Sequence, residues 1–181
     1  MINKEIRSYH TERLELIAAT LEHINAELND LNLFASILNA EVSTEWPPGE
    51  YDKNAQKYFR DLLIKGGEDL AGWLGWYAIK PPEEKQTAVL IGAGGYFGPP
   101  SEIGEIEIGY SVIPSYQNKG YATEIVRALV DIASKDSRVK RILARTTDSN
   151  KASCTVLEKN GFKCSSRDLE NNILYEKILE K

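Results

Sequence analysis

The stretch from Glu105 to Thr123 constrains the fold more than any other part of this 181-residue chain. Glu105-Ile106-Glu107-Ile108-Gly109-Tyr110-Ser111-Val112 alternates with period two, which predicts a strand with one apolar face and one face carrying carboxylates. Beyond Pro114, the positions Ile125, Val126, Leu129, Ile132 and Ala133 recur with helical period and predict a helix over residues 120–135. A strand that passes through a short loop into a helix N-terminus presents N–H groups with no intrahelical partner, at the positive end of the macrodipole. Such an end favours an anion. Gly120 and the small Ala122 let a phosphate approach the backbone, and Lys119 adds a full positive charge.

The rest of the chain predicts one layered domain. Arg13 to Ile17 reads as a strand, and Leu21, Ile24, Leu28, Leu31, Phe34 and Leu38 form one helical stripe, broken around Asn29-Asp30. Glu45-Trp46-Pro47-Pro48-Gly49 is a loop, because the prolines lack an N–H and restrict their neighbours. Asp52 caps a helix with Ala55, Tyr58, Phe59, Leu62 and Leu63 on one face, and Gly66-Gly67 stops it. Trp73 to Ile79 and Thr87 to Ile91 read as a hairpin about the turn Pro81 to Glu84, and Gly92 to Gly98 as a loop or bulge after it. Val139 to Thr147 is a strand, residues 150–159 a helix ending near Gly161, and Phe162 to Ser166 and Ile173 to Leu179 two closing strands. No repeat or linker divides the chain, so residues 1–181 are a single α+β domain of mixed, layered type.

Charge and composition exclude some functions. Lys and Arg total 22 against 27 Asp and Glu, and the net charge of −5 argues against binding the phosphates of nucleic acid. The N-terminal residues carry no apolar signal segment and no run is long enough for a membrane span, which points to the cytoplasm. His10, His23, Cys154 and Cys164 lack the local spacing of a zinc site, so no metal is expected, and the cysteines read as two small buried thiols. The glycines from Gly92 to Gly98 fit neither a P-loop nor a dinucleotide fingerprint.

Gln117-x-x-Gly120-x-Ala122 resembles the Q/R-x-x-G-x-G/A signature of the GNAT superfamily of N-acetyltransferases. Thr11-Glu12-Arg13-Leu14, Glu107 to Tyr110, Asn150-x-x-Ser153 and Lys159-Asn160-Gly161-Phe162 occur around it in the order of the branch that includes the ribosomal-protein N-terminal acetyltransferases. The resemblance implies a central, mostly antiparallel sheet of about seven strands, helices on both faces, and a splayed parallel pair that binds coenzyme A. It implies an acetyl-CoA-dependent enzyme with a primary amine as acceptor, a protein N-terminal amine ahead of a small-molecule amine. A non-catalytic acyl-CoA sensor or interaction module is the alternative, and monomer and homodimer are both open. Val112 and Ile113 would pair with the pantetheine arm, Gln117, Asn118, Lys119, Gly120, Tyr121, Ala122 and Thr123 would hold the pyrophosphate, and Asn150 and Ser153 would contact the pantetheine or its sulfur.

An attacking amine must be neutral, yet a free aliphatic amine with a pKa of about 10 is mostly protonated at pH 7. With histidine scarce, a carboxylate is the natural base. Glu107 is the first choice, and Glu105 beside it would line the acceptor side. Many family members carry a tyrosine where this chain has Leu157, which leaves Ser153 or water to protonate the departing sulfur. Trp46 and Trp76 would help line the acceptor pocket.

Overall fold

The computed structural model describes residues 7–83 and 86–179. Glu84, at the end of the predicted turn, and the first six residues of the N-terminal segment lie outside the described residues. Nine strands form one sheet: β1 (Ser8–His10), β2 (Glu15–Ala18), β3 (Glu41–Val42), β4 (Gly75–Lys80), β5 (Val89–Tyr96), β6 (Glu105–Val112), β7 (Arg141–Thr147), β8 (Lys163–Arg167) and β9 (Asn172–Ile178). Their order is β1-β2-β4-β5-β6-β7-β9-β8, with β3 alongside the start of β5. The pairing is antiparallel except for β6 with β7 and the two-residue β3 with β5. The sequence predicts about seven strands. The two additional ones, β1 and β3, are too short to show an alternating pattern.

Three helices, α1 (Leu21–Asn29), α2 (Leu31–Leu38) and α3 (Lys53–Gly66), cover one face of the sheet around Ile24, Phe34, Phe59, Leu63 and Tyr77. The other face carries α4 (Tyr121–Ser134) and α5 (Lys151–Lys159), packed through Ile125, Leu129 and Leu157. Local chemistry sets the boundaries. Asp30 breaks the long apolar stripe because its carboxylate accepts from the N–H groups of Asn32 and Leu33, starting α2 where α1 ends. Thr20, Asp52 and Asn150 cap α1, α3 and α5 in the same way.

The glycine run is strand, not loop. Gly92, Gly94 and Gly95 lie in the centre of β5. A Cβ on Gly94 would sit 2.8 Å from Ile125 and 3.1 Å from Leu129, so α4 packs directly on bare backbone. Glycine is a poor strand former because it has no side chain to pack, and here that missing side chain is the space the helix occupies. The cysteine expectation also divides. Cys154 is buried, but Cys164 is exposed, because β8 is an edge strand with all five residues open to solvent.

Candidate active site

β6 and β7 pair in parallel only from Glu105–Arg141 to Ile108–Ala144. Beyond that point β7 stays on β9 as far as Thr147, while β6 continues along β5 to Val112. The strands therefore part, and the opening leads into a groove of about 600 Å³ bounded by the loop after β6 and the starts of α4 and α5. The loop is braced from within: the Gln117 side-chain amide donates to the Val112 carbonyl at 2.9 Å. Asn118 and Gly120 take left-handed backbone angles, φ 59° and 83°.

No side chain caps α4, unlike the other α-helices, and its first intrahelical bond runs from the Glu124 N–H to the Gly120 carbonyl. Tyr121, Ala122 and Thr123 come before that bond and line the groove. Uncapped amides at a helix N-terminus are a fitting cradle for the pyrophosphate of a coenzyme. Of the residues expected at the coenzyme, Val112, Gln117, Asn118, Gly120 to Thr123, Asn150 and Ser153 all line this groove.

Ile113 and Lys119 do not. Ile113 is fully buried, its N–H donates to the Ile91 carbonyl, and its carbonyl accepts from the Tyr116 N–H, so both its backbone groups are already paired within the protein. The Lys119 ammonium donates to the Ser115 carbonyl at 2.8 Å and lies over the Tyr116 ring. Asn150 combines two roles, since it lines the groove and caps α5 by accepting from the Ser153 N–H at 3.1 Å.

A second cavity, of about 300 Å³, meets the groove at Tyr110 and Ser111, which line both. Its other walls include Glu50, Tyr51, Phe59 and Phe97, over a floor of Gly94, Gly95 and Gly109. At the junction the Tyr110 hydroxyl lies 2.8 Å from the Ser153 hydroxyl. Burial pushes the Tyr110 phenol up to about 12, partly offset by the Ser153 hydrogen bond, so it keeps its proton at neutral pH.

The acceptor-side residues expected from sequence lie elsewhere. Glu107 is ion-paired with Arg145 at 3.2 Å, and Glu105 with Arg141, which also holds Glu176 at 3.0 Å. Both carboxylates belong to a ladder across β6, β7 and β9, and neither is among the residues lining the groove or the second cavity. Trp46 and Trp76 are core residues, 6% and 4% exposed, whose ring N–H groups donate to Glu27 and to the Gly72 carbonyl. Leu157 is fully buried, so its position on α5 presents nothing to the groove.

Sequence reading missed Glu50, Phe97, Tyr110 and Ser111 as cavity residues. For Tyr110 a signal existed: alternation places it on the face of Ile106 and Ile108, at the end nearest the loop.

Beneath the second cavity Glu27, 5% exposed, accepts from Trp46, Gln56, Tyr51 and Tyr77 at 2.9, 2.9, 3.0 and 2.7 Å. Burial raises its carboxyl to about 7, against four hydrogen bonds that favour the charged form. Its position on the α1 stripe, three residues after Ile24, was the available signal for a buried acid.

The family comparison agrees with this geometry. The acetyltransferase (GNAT) domain family matches residues 18–163. An uncharacterized N-acetyltransferase of Bacillus subtilis, YjdG, is 31% identical over 160 residues, spanning 88% of this chain and 92% of the relative. Among solved structures, the ribosomal L7/L12 alpha-N-protein acetyltransferase RimL in complex with coenzyme A superposes with a TM-score of 0.63 at 18% identity. That match covers 96% of this chain and 98% of RimL. The ribosomal-protein-S5-alanine acetyltransferase of Vibrio fischeri gives 0.62 at 19% identity, covering 95% and 96% of the two chains. With its splayed strands, uncapped helix and matching sequence, the chain belongs to the GNAT acetyltransferases and is an acetyl-CoA-dependent acyltransferase.

Proposed function

We propose that the protein moves the acetyl group of acetyl-CoA to a primary amine in the cytoplasm, a protein N-terminal amine ahead of a small-molecule amine. The observation that carries this reading is the meeting of the coenzyme groove with a second cavity at Tyr110 and Ser111. An N-terminal amine finds support in the two ribosomal-protein acetyltransferases that share the fold. Two unpaired thiols suit a reducing compartment.

When bound, acetyl-CoA supplies a thioester whose carbonyl carbon an amine can attack. The uncapped amides of Tyr121, Ala122 and Thr123 hold the phosphates, and Gln117 keeps the loop closed beneath them. The Ser153 hydroxyl, with the Tyr110 hydroxyl behind it, holds a proton at the junction. Glu107, tied to Arg145, leaves the base role to a group that reaches the cavity.

Acetyl-CoA at about 100 times its Kd should stabilise the fold by about 2.7 kcal/mol, a rise in Tm of roughly 5–10 °C for a chain of this size. Gly120→Leu should erase that rise, because residue 120 lines the groove at φ +83°, which strains any L side chain, and its Cβ would meet the Arg13 guanidinium at 3.4 Å. No shift for the wild type at millimolar acetyl-CoA would sink the proposal. Release of free CoA with an amine present separates the enzyme from a coenzyme-binding sensor, which would bind without release.

A further inference from the structure

The second cavity has a specific chemistry. Tyr51, Phe59 and Phe97 form its walls, with the Phe59 ring centroid 6.4 Å from Tyr51 and 6.0 Å from Phe97. The floor is backbone alone at Gly94, Gly95 and Gly109, and a Cβ on Gly109 would touch the Phe97 ring at 3.4 Å. Phe97 remains 50% exposed, an apolar ring that a bound apolar group would cover. Tyr51 is fixed from behind by its hydrogen bond to Glu27, so this wall is formed before any ligand arrives.

Among the described lining residues, Glu50 is the one charged side chain. Its place follows from its neighbour: a Cβ on Gly49 would lie 2.7 Å from the Ser111 hydroxyl, so the backbone before Glu50 packs against a residue of the junction. One carboxylate among the lining residues, with three aromatic rings in the same walls, suits a cation that carries an apolar body. No lining residue is a cation, so a carboxylate next to the acceptor nitrogen would face Glu50 uncompensated. One acid cannot match the several charges of a polyamine. The volume of about 300 Å³ is at the lower end for small-molecule sites and suits one compact group.

We infer that the acceptor is a primary amine carried on a single aromatic or branched apolar group, with no carboxylate beside the nitrogen. This rests on the acetyl-transfer reading above and narrows it. The amine nitrogen takes the acetyl group as the carbon–sulfur bond breaks. Of the two protons the ammonium loses, one ends on sulfur and the other passes to solvent. A free arylalkylamine and the first residue of a peptide both present this chemistry.

The test measures kcat/KM by thiol release for 2-phenylethylamine, a tripeptide amide beginning with phenylalanine, free phenylalanine and spermidine. The first two should exceed the last two by about tenfold or more, a difference of roughly 1.4 kcal/mol, and the ratio of the first two identifies the source. Glu50→Gln should raise the acceptor KM by about tenfold while leaving the acetyl-CoA Kd unchanged. Equal use of spermidine or free phenylalanine, or an unaltered KM in Glu50→Gln, would overturn the inference. If acetyl-CoA binds but none of these amines is acetylated, the substrate class is wrong and the coenzyme reading stands. If acetyl-CoA does not bind, titration of 2-phenylethylamine alone decides: binding lost in Glu50→Gln keeps the cavity assignment, and no binding to the wild type removes it.

Discussion

Gly95→Val should yield no soluble folded protein. Gly95 faces Gly75 across the β4–β5 pair, and a Cβ there would stand 2.1 Å from the Leu74 carbonyl oxygen and 2.9 Å from the Gly75 Cα. Both are backbone atoms. Moving the carbonyl would also break the hydrogen bond it accepts from the Tyr96 N–H at 3.0 Å, in the middle of the sheet. Gly94→Ala meets side-chain methyls of Ile125 and Leu129 first, with the Gly109 carbonyl at 3.4 Å, and should fold with a loss of about 1–3 kcal/mol as those side chains repack. Expression yield and Tm of the two variants check the ranking. A Gly95→Val protein with the wild-type Tm would mean that β4 and β5 do not approach this closely.

The second large effect concerns Glu27. Its carboxyl titrates near 4.5 when unfolded and near 7 when folded, so between these values the unfolded chain holds fewer protons than the native one. Stability from this group therefore falls as pH rises from about 4.5 to about 7, by about 3 kcal/mol in total, and is level above that. His23, one turn earlier on α1 and with its ring 5.9 Å from Tyr77, opposes this slope. Burial lowers its pKa despite Glu22, so it loses stability when the pH falls below about 6.5.

A pH scan of the wild type alone would mix the two. Glu27→Gln removes only one of them, so the difference in stability between wild type and variant should fall across pH 4.5–7 and then stay flat. Chemical denaturation at several pH values measures it, and a difference that rises with pH would contradict the assignment. Glu27→Leu should destabilise at every pH, by roughly 3 kcal/mol or more, because the indole of Trp46 and the amide of Gln56 lose their buried acceptor.

These two sites mark where the sequence was hard to read. The groove proposed for the coenzyme was legible as a strand–loop–helix because its parts are local: alternation in β6, Gly120 and helical period from Tyr121 follow one another within twenty residues. The cap at Asp52 and the break in the stripe at Asn29-Asp30 were legible for the same reason. The acceptor cavity is made by long-range contact. Its floor comes from glycines of β5 and β6, which resemble loop residues until a helix and a neighbouring strand are packed on them.

Trp46 misled because an aromatic residue beside two prolines resembles a binding loop. Its burial depends on Glu27, nineteen residues earlier, which accepts a hydrogen bond from the indole N–H. Glu107 misled differently. The alternation correctly put it on one face with Glu105, but only the register of β6 against β7 sets Arg141 opposite Glu105 and leaves Arg145, two residues past Leu143, within reach of Glu107.

The turn between β1 and β2 has an electrostatic consequence for the N-terminal end of α4. Glu124 sits in the first turn of that helix, where its negative charge would compete with a phosphate for the same amides. Arg13 offsets that charge and Thr11 hydrogen-bonds to it. The Arg13 side chain donates to Glu124 at 2.7 Å and to the Lys119 carbonyl at 3.0 Å, the Thr11 hydroxyl donates at 2.6 Å, and the guanidinium lies over Tyr121. Partial burial would raise the Glu124 carboxyl, but these partners outweigh it and hold the group ionised below its usual range. Arg13→Ala should therefore expose the coenzyme phosphates to an unbalanced acid, weakening acetyl-CoA binding most at low ionic strength. Adding Glu124→Gln should recover much of the loss. Two residues near the beginning of the chain thus set the charge that an anion meets at a helix more than a hundred residues later.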